Sequence, residues 1–556
     1  MSMETVSRRS LLWALCSSTV LGSLGLLASR SIPIDAQDNP GVAGLKALKA
    51  LRPGHNRTVA LQAAGRSGRF TWDGSDLSHR VAADPLEGIY VAPAVDSTGA
   101  SGAWVRQIDG PFDIRWFGAS GSGDCLAAFN GALSAARSAG GGTIVFPEQG
   151  QGGWRLGGTA IIDADNVTID LRDDVTLTRT TPCSTFRFGK DNGATLRAVK
   201  LLCSGRKATI DGNGHAMTGY AYNARKPIYP AVEFRNCDGV TVENVHVTNG
   251  LVNCLLVRFS SNIVLQDCDG SHSVYDNGIS VNFALNYHAY DPQDSRTWTN
   301  ARLIRCRGFD NNAVGITNYG GYGHTWTDCE AWGNGQDRTE GLPWGGGMTV
   351  EMNGHNLRDS RTTIINPKCH DNRNYDLLAS TFGVTLIKPD FRGPKAPVVR
   401  QDRTSSYGSN LIVFGRGGVK VVAGTFANAG RDGIRLLATG PGNYPSLDFD
   451  GIISSPADYG IHGVGIAEVK VSNASQIIDA GKAGIQLKNI NPRYNKGGGV
   501  AILNPGVIRN CGGLAIAIDS LGDVSSRGVD VVNCQRDRVS ASSISVRNSL
   551  RSSIRR

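Results

Sequence analysis

Charge is scarce in this 556-residue chain: Asp, Glu, Lys and Arg together make up 19% of it, and aromatic residues only 7%. Cys-x-x-Cys pairs are absent, which argues against a metal-binding cysteine framework. Nicotinamide, flavin and zinc signatures are missing too, so no cofactor is expected, with Ca²⁺ entering only if the chemistry is eliminative. No run of Lys and Arg interleaved with aromatics appears in the middle of the chain. The net charge of +9 therefore does not imply nucleic acid, although it mildly favours an acidic partner. Much of that excess sits at the two ends, in Arg8 and Arg9 and in the tail from Arg547 to Arg556.

A long apolar run occurs at the N-terminus, where Ser7-Arg8-Arg9-Ser10-Leu11-Leu12 opens a stretch reaching Ala28. Ser17, Ser18, Thr19 and Ser23 make it too polar for a stable membrane anchor. A twin arginine before a modest apolar core reads as a Tat-like export signal over 1–36, cleaved after Ala36. The expected location is periplasmic or extracellular. Without Cys16 the mature chain keeps 11 cysteines, an odd number. Cys237, Cys268, Cys306, Cys329 and Cys369 recur at the ends of apolar runs, as expected for thiols stacked in a core; one or two disulfides are the alternative.

What the chain has in abundance is Gly, 71 residues of it without a collagen period, and a repeat. Short β-branched runs are followed by Asn or Asp, then Gly and an aliphatic residue, as in Asp276-Asn277-Gly278-Ile279 and Arg431-Asp432-Gly433-Ile434. Val242 and Leu265 stand about 23 residues apart, as do Leu303 and Trp326. A repeat of that length cannot bury its own apolar face, and no helix-period stretch lies between the runs. The expectation is an all-β fold, a right-handed parallel β-helix over 113–545. A small β cap is expected over 37–112, and 546–556 form a basic tail.

The stretch from Asp113-Ile114-Arg115-Trp116-Phe117-Gly118-Ala119 leads into an amphipathic helix over 126–139 and then Gly140-Gly141-Gly142-Thr143-Ile144-Val145-Phe146-Pro147. This order resembles the pectate-lyase-type β-helix superfamily, which includes polygalacturonases, rhamnogalacturonases, lyases, epimerases and phage tailspikes. The resemblance implies a helix that caps the open end of the solenoid. Ile210-Asp211-Gly212-Asn213-Gly214 resembles the I-D-G-x-G of the polygalacturonase-like branch. Asp276, Asp310 and His324 are partial matches to that branch's N-T-D, D-D and G-H-G motifs; its R-I-K is not found. Tyr287-His288-Ala289-Tyr290-Asp291-Pro292-Gln293 is similar to the Y-x-x-D-P-H of mannuronan epimerases. One scaffold hosts many reactions, so the chemistry rests on particular residues.

Three insertions interrupt the repeat between Leu265 and Leu303, between Trp326 and Ile364, and after Asp390. Long loops on a rigid scaffold concentrate binding residues. His272, His288, His324, His355 and His370 and Trp298, Trp326, Trp332 and Trp344 fall in this region, as a sugar-binding groove requires. The candidate catalytic residues are Asp276, Asp310 and Glu351, with His324 tuning or orienting them. Candidate substrate contacts are His288, Tyr290, Trp298, Arg307, Tyr319 and Trp344. Asp276 and Asp310, read as occupying similar turn positions on adjacent coils, have the spacing of a glycosidase carboxylate pair. Three function classes are open: a glycoside hydrolase, a polysaccharide lyase or uronate epimerase acting on an acidic glycan, and a non-catalytic glycan-binding or tailspike-like protein. Related β-helices suggest a homotrimer.

Overall fold

A computed structural model describes residues 41–52, 58–121, 123–148, 153–217, 229–281, 300–336, 345–351, 360–394, 408–440, 442–488, 499–526, 528–535 and 538–544. His288, Tyr290, Trp298 and Trp344 lie outside these residues.

The chain from Gly41 to Arg106 forms a five-stranded sheet closed over Val42, Leu48, Val59, Leu61, Phe70, Val91 and Trp104. Arg106 ties this unit to the turn that opens the solenoid. Its guanidinium carbon stands 4.5 Å from the Phe70 ring and 4.5 Å from the Trp116 ring, and its nitrogens donate to the Gly88, Ser67 and Arg66 carbonyls.

From Phe112 onward every recorded strand pairing is parallel, and the strands form three sheets that the chain visits in turn, once per coil, as a right-handed parallel β-helix. The helix Leu126–Ser138 seals the first coil with Phe129, Ala132, Leu133 and Ala136. Phe129 meets Phe146 and Phe186, each at 5.8 Å between ring centres. Asp124 fixes the helix by accepting from the Leu126 and Gly157 amides, both at 2.9 Å.

Stacking of like residues sets the register. In the first sheet Val242 pairs with Leu265, Leu265 with Leu303, Leu303 with Trp326 and Trp326 with Ile364, all buried. The sequence spacing of Val242 to Leu265 and of Leu303 to Trp326 is thus one turn of the solenoid. Alternate residues face out, in keeping with the period of two along a strand. The turns from first to second sheet pass through one residue at positive φ, such as Asn244, Asp267 and Asp328. Asn and Asp tolerate that backbone because their short side chains bond locally, which explains their recurrence after each run.

The second and third sheets approach so closely at Gly308 that a Cβ there would collide with the Gly315 backbone. Inside that corner Asn311, Asn334 and Asn372 form a ladder. The Asn311 amide donates to Asn334 at 3.0 Å, Asn334 to Asn372 at 3.0 Å, and Asn372 to Asp376 at 3.1 Å. Each Asn also bonds a buried carbonyl, so the ladder satisfies backbone groups that the turn leaves unpaired.

All 11 cysteines among the described residues are free, nine of them buried. Cys268, Cys306 and Cys329 each follow the turn between the first and second sheets on successive coils, one thiol above the next. Cys369 is two residues out of line, pairing with the row of Ala331.

Candidate functional site

Candidate carboxyls and the long insertions gather at the third sheet. Its strands include Val232–Arg235, Leu255–Arg258, Ile279–Val281, Val314–Asn318, Gly346–Val350, Tyr375–Ala379, Ser409–Phe414, Ile434–Leu437, Tyr459–Val464 and Ala483–Lys488. The insertions 218–228, 282–299, 337–344, 352–359, 395–407 and 489–498, which lie outside the described residues, all join the chain beside these strands. The row alternating with the core residues runs Glu233, Leu256, Ser280, Thr317, Thr349, Leu378, Ile412, Arg435 and His462. Every member is less than a tenth exposed.

Asp276 stands just before Ile279 at the leading edge of this sheet. The Asn253 amide donates to it at 3.3 Å and also to Ser280 at 3.0 Å. Burial pushes its carboxyl up to about 7. Glu351 follows Val350 at the trailing edge, and burial pushes it up to about 7 as well. Both are therefore acids that keep a proton near neutrality. They are two coils and about six residues apart along the ladder, which places them roughly 20 Å from one another.

Asp310 does not stack on Asp276. Core register pairs Ile279 with Ile316, so the coil-mate of Asp276 is Ala313. Asp310 instead takes the positive-φ turn position shared with His272 and Asp371, with φ of 53°. The repeated Asp-Asn pairs look alike in sequence, but the aliphatic residues after them, packed in the core, decide which positions align. His324 lies at the entry to the first sheet and is 1% exposed. Its Nδ1 accepts from the Ala301 amide at 3.2 Å and its Nε2–H donates to the Gly320 carbonyl at 3.1 Å. Burial pushes it down to about 4, so the ring is neutral. Tyr319, half-buried, follows the strand Val314–Asn318, and its amide bonds the Val281 carbonyl.

Arg307 belongs to the outer face of the second sheet. It grips the buried Asp269 through two bonds of 2.8 and 2.6 Å, and Lys207 adds a third at 2.9 Å. Beside that pair Phe309 stacks on Trp332 at 4.4 Å and Trp332 on His370 at 5.9 Å. In this stack the rings turn their faces to one another and only their edges outward.

A charged group that the sequence motifs do not single out lies on the last coils of the third sheet. Asp432 is 0% exposed. Its Oδ2 is 3.3 Å from Arg435 Nη1, 3.5 Å from His462 Nδ1 and 3.9 Å from Arg431 Nε. On the next coil Asp458 Oδ2 is 3.8 Å from the same Arg431 nitrogen, and Asp458 Oδ1 is 3.0 Å from Lys482. Two oxygens at these distances from one atom stand no more than roughly 8 Å apart, a limit that takes in the separations of glycosidase carboxyl pairs. The Tyr459 ring lies 4.3 Å from that of His462. Burial lowers His462, leaving a neutral imidazole at pH 7. The open side of the group is Asp458 and Lys482, with side chains 23% and 56% exposed. The signal was present in Arg431-Asp432-Gly433-Ile434-Arg435 and Asp458-Tyr459-Gly460-Ile461-His462, where the residue after Ile is ionisable on consecutive coils.

No protein-family model and no curated protein matches the chain. Among solved structures it is similar to the gp42 tailspike of Acinetobacter phage vb_AbaP_AS12, with 12% identity, 81% of this chain and 71% of that chain covered, and a TM-score of 0.47. It is also similar to the enzymatically active domain of tailspike protein 2 of bacteriophage CBA120, at 9% identity and a TM-score of 0.40 over 80% of this chain; it spans only 57% of that chain's length. A third similar structure is the family 28 exopolygalacturonase of Yersinia enterocolitica, at 12% identity and a TM-score of 0.35, with 80% and 79% covered. At such identities the likeness is one of fold.

Proposed function

We propose that this chain is an exported polysaccharide-degrading enzyme, a glycoside hydrolase whose working carboxyls sit on adjacent coils of the third sheet. The observation that carries the reading is the pair Asp432 and Asp458, which share Arg431 Nε at 3.9 and 3.8 Å. In such a pair one carboxyl gives a proton to the glycosidic oxygen as the bond to the anomeric carbon breaks. The other attacks that carbon or takes a proton from the water that does. Asp458, on the open side, meets the sugar first, and Asp432, which also holds Arg435 and His462, is the second carboxyl of the pair. Asp276 and Glu351, proton-bearing near neutrality, donate hydrogen bonds to sugar oxygens farther along the same sheet.

The second reading is a lyase or epimerase, and one observation favours it. A neutral His462 stands beside Tyr459 and Arg435, which is a base next to a cation able to neutralise a uronate carboxylate. The base would take the proton next to that carboxylate as the glycosidic bond breaks and a double bond forms.

Asp458→Asn and His462→Gln separate the two. For the hydrolase, Asp458→Asn removes at least 100-fold of the release of reducing ends, about the scale of a lost acid or base, and His462→Gln removes much less. The reverse order, with circular dichroism unchanged in both variants, overturns the hydrolase.

A further inference from the structure

Arg179 ends the second-sheet strand Thr176–Arg179, in register with Leu156 of the preceding coil. Leu156 and Leu177 both lie in the core, so the period of two turns the Arg179 side chain inward as well. That side chain is 0% exposed. Its Nη2 donates to the Met217 sulfur at 3.3 Å, but Nε and Nη1 are buried with no hydrogen-bond partner. Thr185, which enters the third-sheet strand of the same coil, has a buried hydroxyl in the same condition.

The negative charge of Asp211 acts on Arg179 only from beyond ion-pair distance. Among the described residues no carboxylate stands within ion-pair distance of Arg179. Asp211, on the next coil, already accepts from the Asn213 amide at 2.8 Å and from Asn249 at 3.0 Å. The insertion 218–228 that follows Met217 contains Arg225 and Lys226 and no Asp or Glu. Burial pushes the Cys254 thiol up to about 12, so it is no thiolate. Arg179 itself is lowered only to about 10 and remains a cation at neutral pH. A buried cation without a close counter-charge is destabilising, and an arginine relieves this by pairing, since it does not deprotonate.

We infer that the corner between the second and third sheets binds a small monovalent inorganic anion, of the chloride class, held by Arg179 Nε and Nη1. Its enclosure in the core excludes a sugar, so this is a structural site separate from the charged group at Asp432 and Asp458.

The test compares thermal unfolding of the full chain in chloride and in gluconate at fixed ionic strength. Chloride is expected to raise Tm saturably by about 2 °C, and Arg179→Met to abolish that response. Crystals soaked in bromide are expected to show an anomalous peak beside Arg179 in the wild-type chain, which needs no variant to fold. A chloride response equal in Arg179→Met, or the absence of both the response and the bromide peak, overturns the site.

Discussion

Replacing Asp376 by Asn should make the protein more stable as pH rises. Asp376 is 0% exposed within the strand Tyr375–Ala379 and accepts from Asn372 at 3.1 Å and Asn410 at 2.9 Å. Two neutral amides do not offset the loss of water around a carboxylate, and burial pushes the group up to about 7. In the unfolded chain it titrates near 4. Between those values the folded state holds a proton that the unfolded state lacks. Stability is therefore full below about pH 4 and falls as pH rises through about 7. A displacement of about three pH units at ~1.4 kcal/mol each sets a ceiling near 4 kcal/mol; between pH 5.5 and 8 about 2 kcal/mol should be lost. In Asp376→Asn the side chain has no charge to bury. The new amide would face that of Asn410, whose Oδ1 is buried without a partner, so a flip of Asn410 provides the acceptor. Urea unfolding followed by circular dichroism at several pH values, with unchanged m, is the assay. The variant should match the wild type near pH 5.5 and exceed it by about 2 kcal/mol at pH 8. A wild-type-to-variant difference that stays constant across pH refutes the reasoning.

Truncating Trp326 to Ala, in the buried stack between Leu303 and Ile364, should cost about 3–5 kcal/mol in the same assay, whereas Trp332→Ala on the outer second sheet should cost about 1 kcal/mol. Similar losses for both would contradict the assignment of one to the core and the other to the outer face. Asp269→Asn leaves Arg307 and Lys207, both partly exposed, without their buried partner and should cost about 1.5–3 kcal/mol. Its pairing lowers Asp269, so this contribution is present above about pH 4 and disappears as pH falls through the lowered value; a wild-type advantage unchanged down to pH 2 would count against it. A thiol reagent should label Cys183 and Cys534 readily in the native protein, and the nine buried cysteines only after denaturation. Rapid native labelling of Cys268, Cys306 or Cys329 would contradict the thiol stack.

The fold was legible because a parallel solenoid writes its register into the sequence. Residues stacked one above another recur at the coil length, and Val242 with Leu265, or Leu303 with Trp326, can be read without coordinates. The helix over Leu126–Ser138 announced itself by its period of apolar residues. The site was less legible, for two reasons. Positive-φ turns select Asn and Asp for backbone reasons, so acids such as Asp310 recur from coil to coil whether or not they react. Distinguishing Asp276 from Asp310 required knowing that Ile279 pairs with Ile316, since counting from the preceding Asp misaligns the turn. Arg435 and His462 escape notice in the sequence because each occupies an ordinary place in the repeat, just after the aliphatic residue. Their meeting with Asp432 depends on a pairing between coils that adjacent sequence does not display.

The most direct test of the central claim is to incubate the wild-type chain and Asp458→Asn with a panel of acidic and neutral polysaccharides. Reducing ends and the ultraviolet absorbance of unsaturated uronates would be recorded together. New reducing ends without absorbance from the wild type, and almost none from the variant, are the predicted result. An absence of new ends on every polysaccharide, or an Asp458→Asn variant as active as the wild type, would contradict a hydrolase working at this pair.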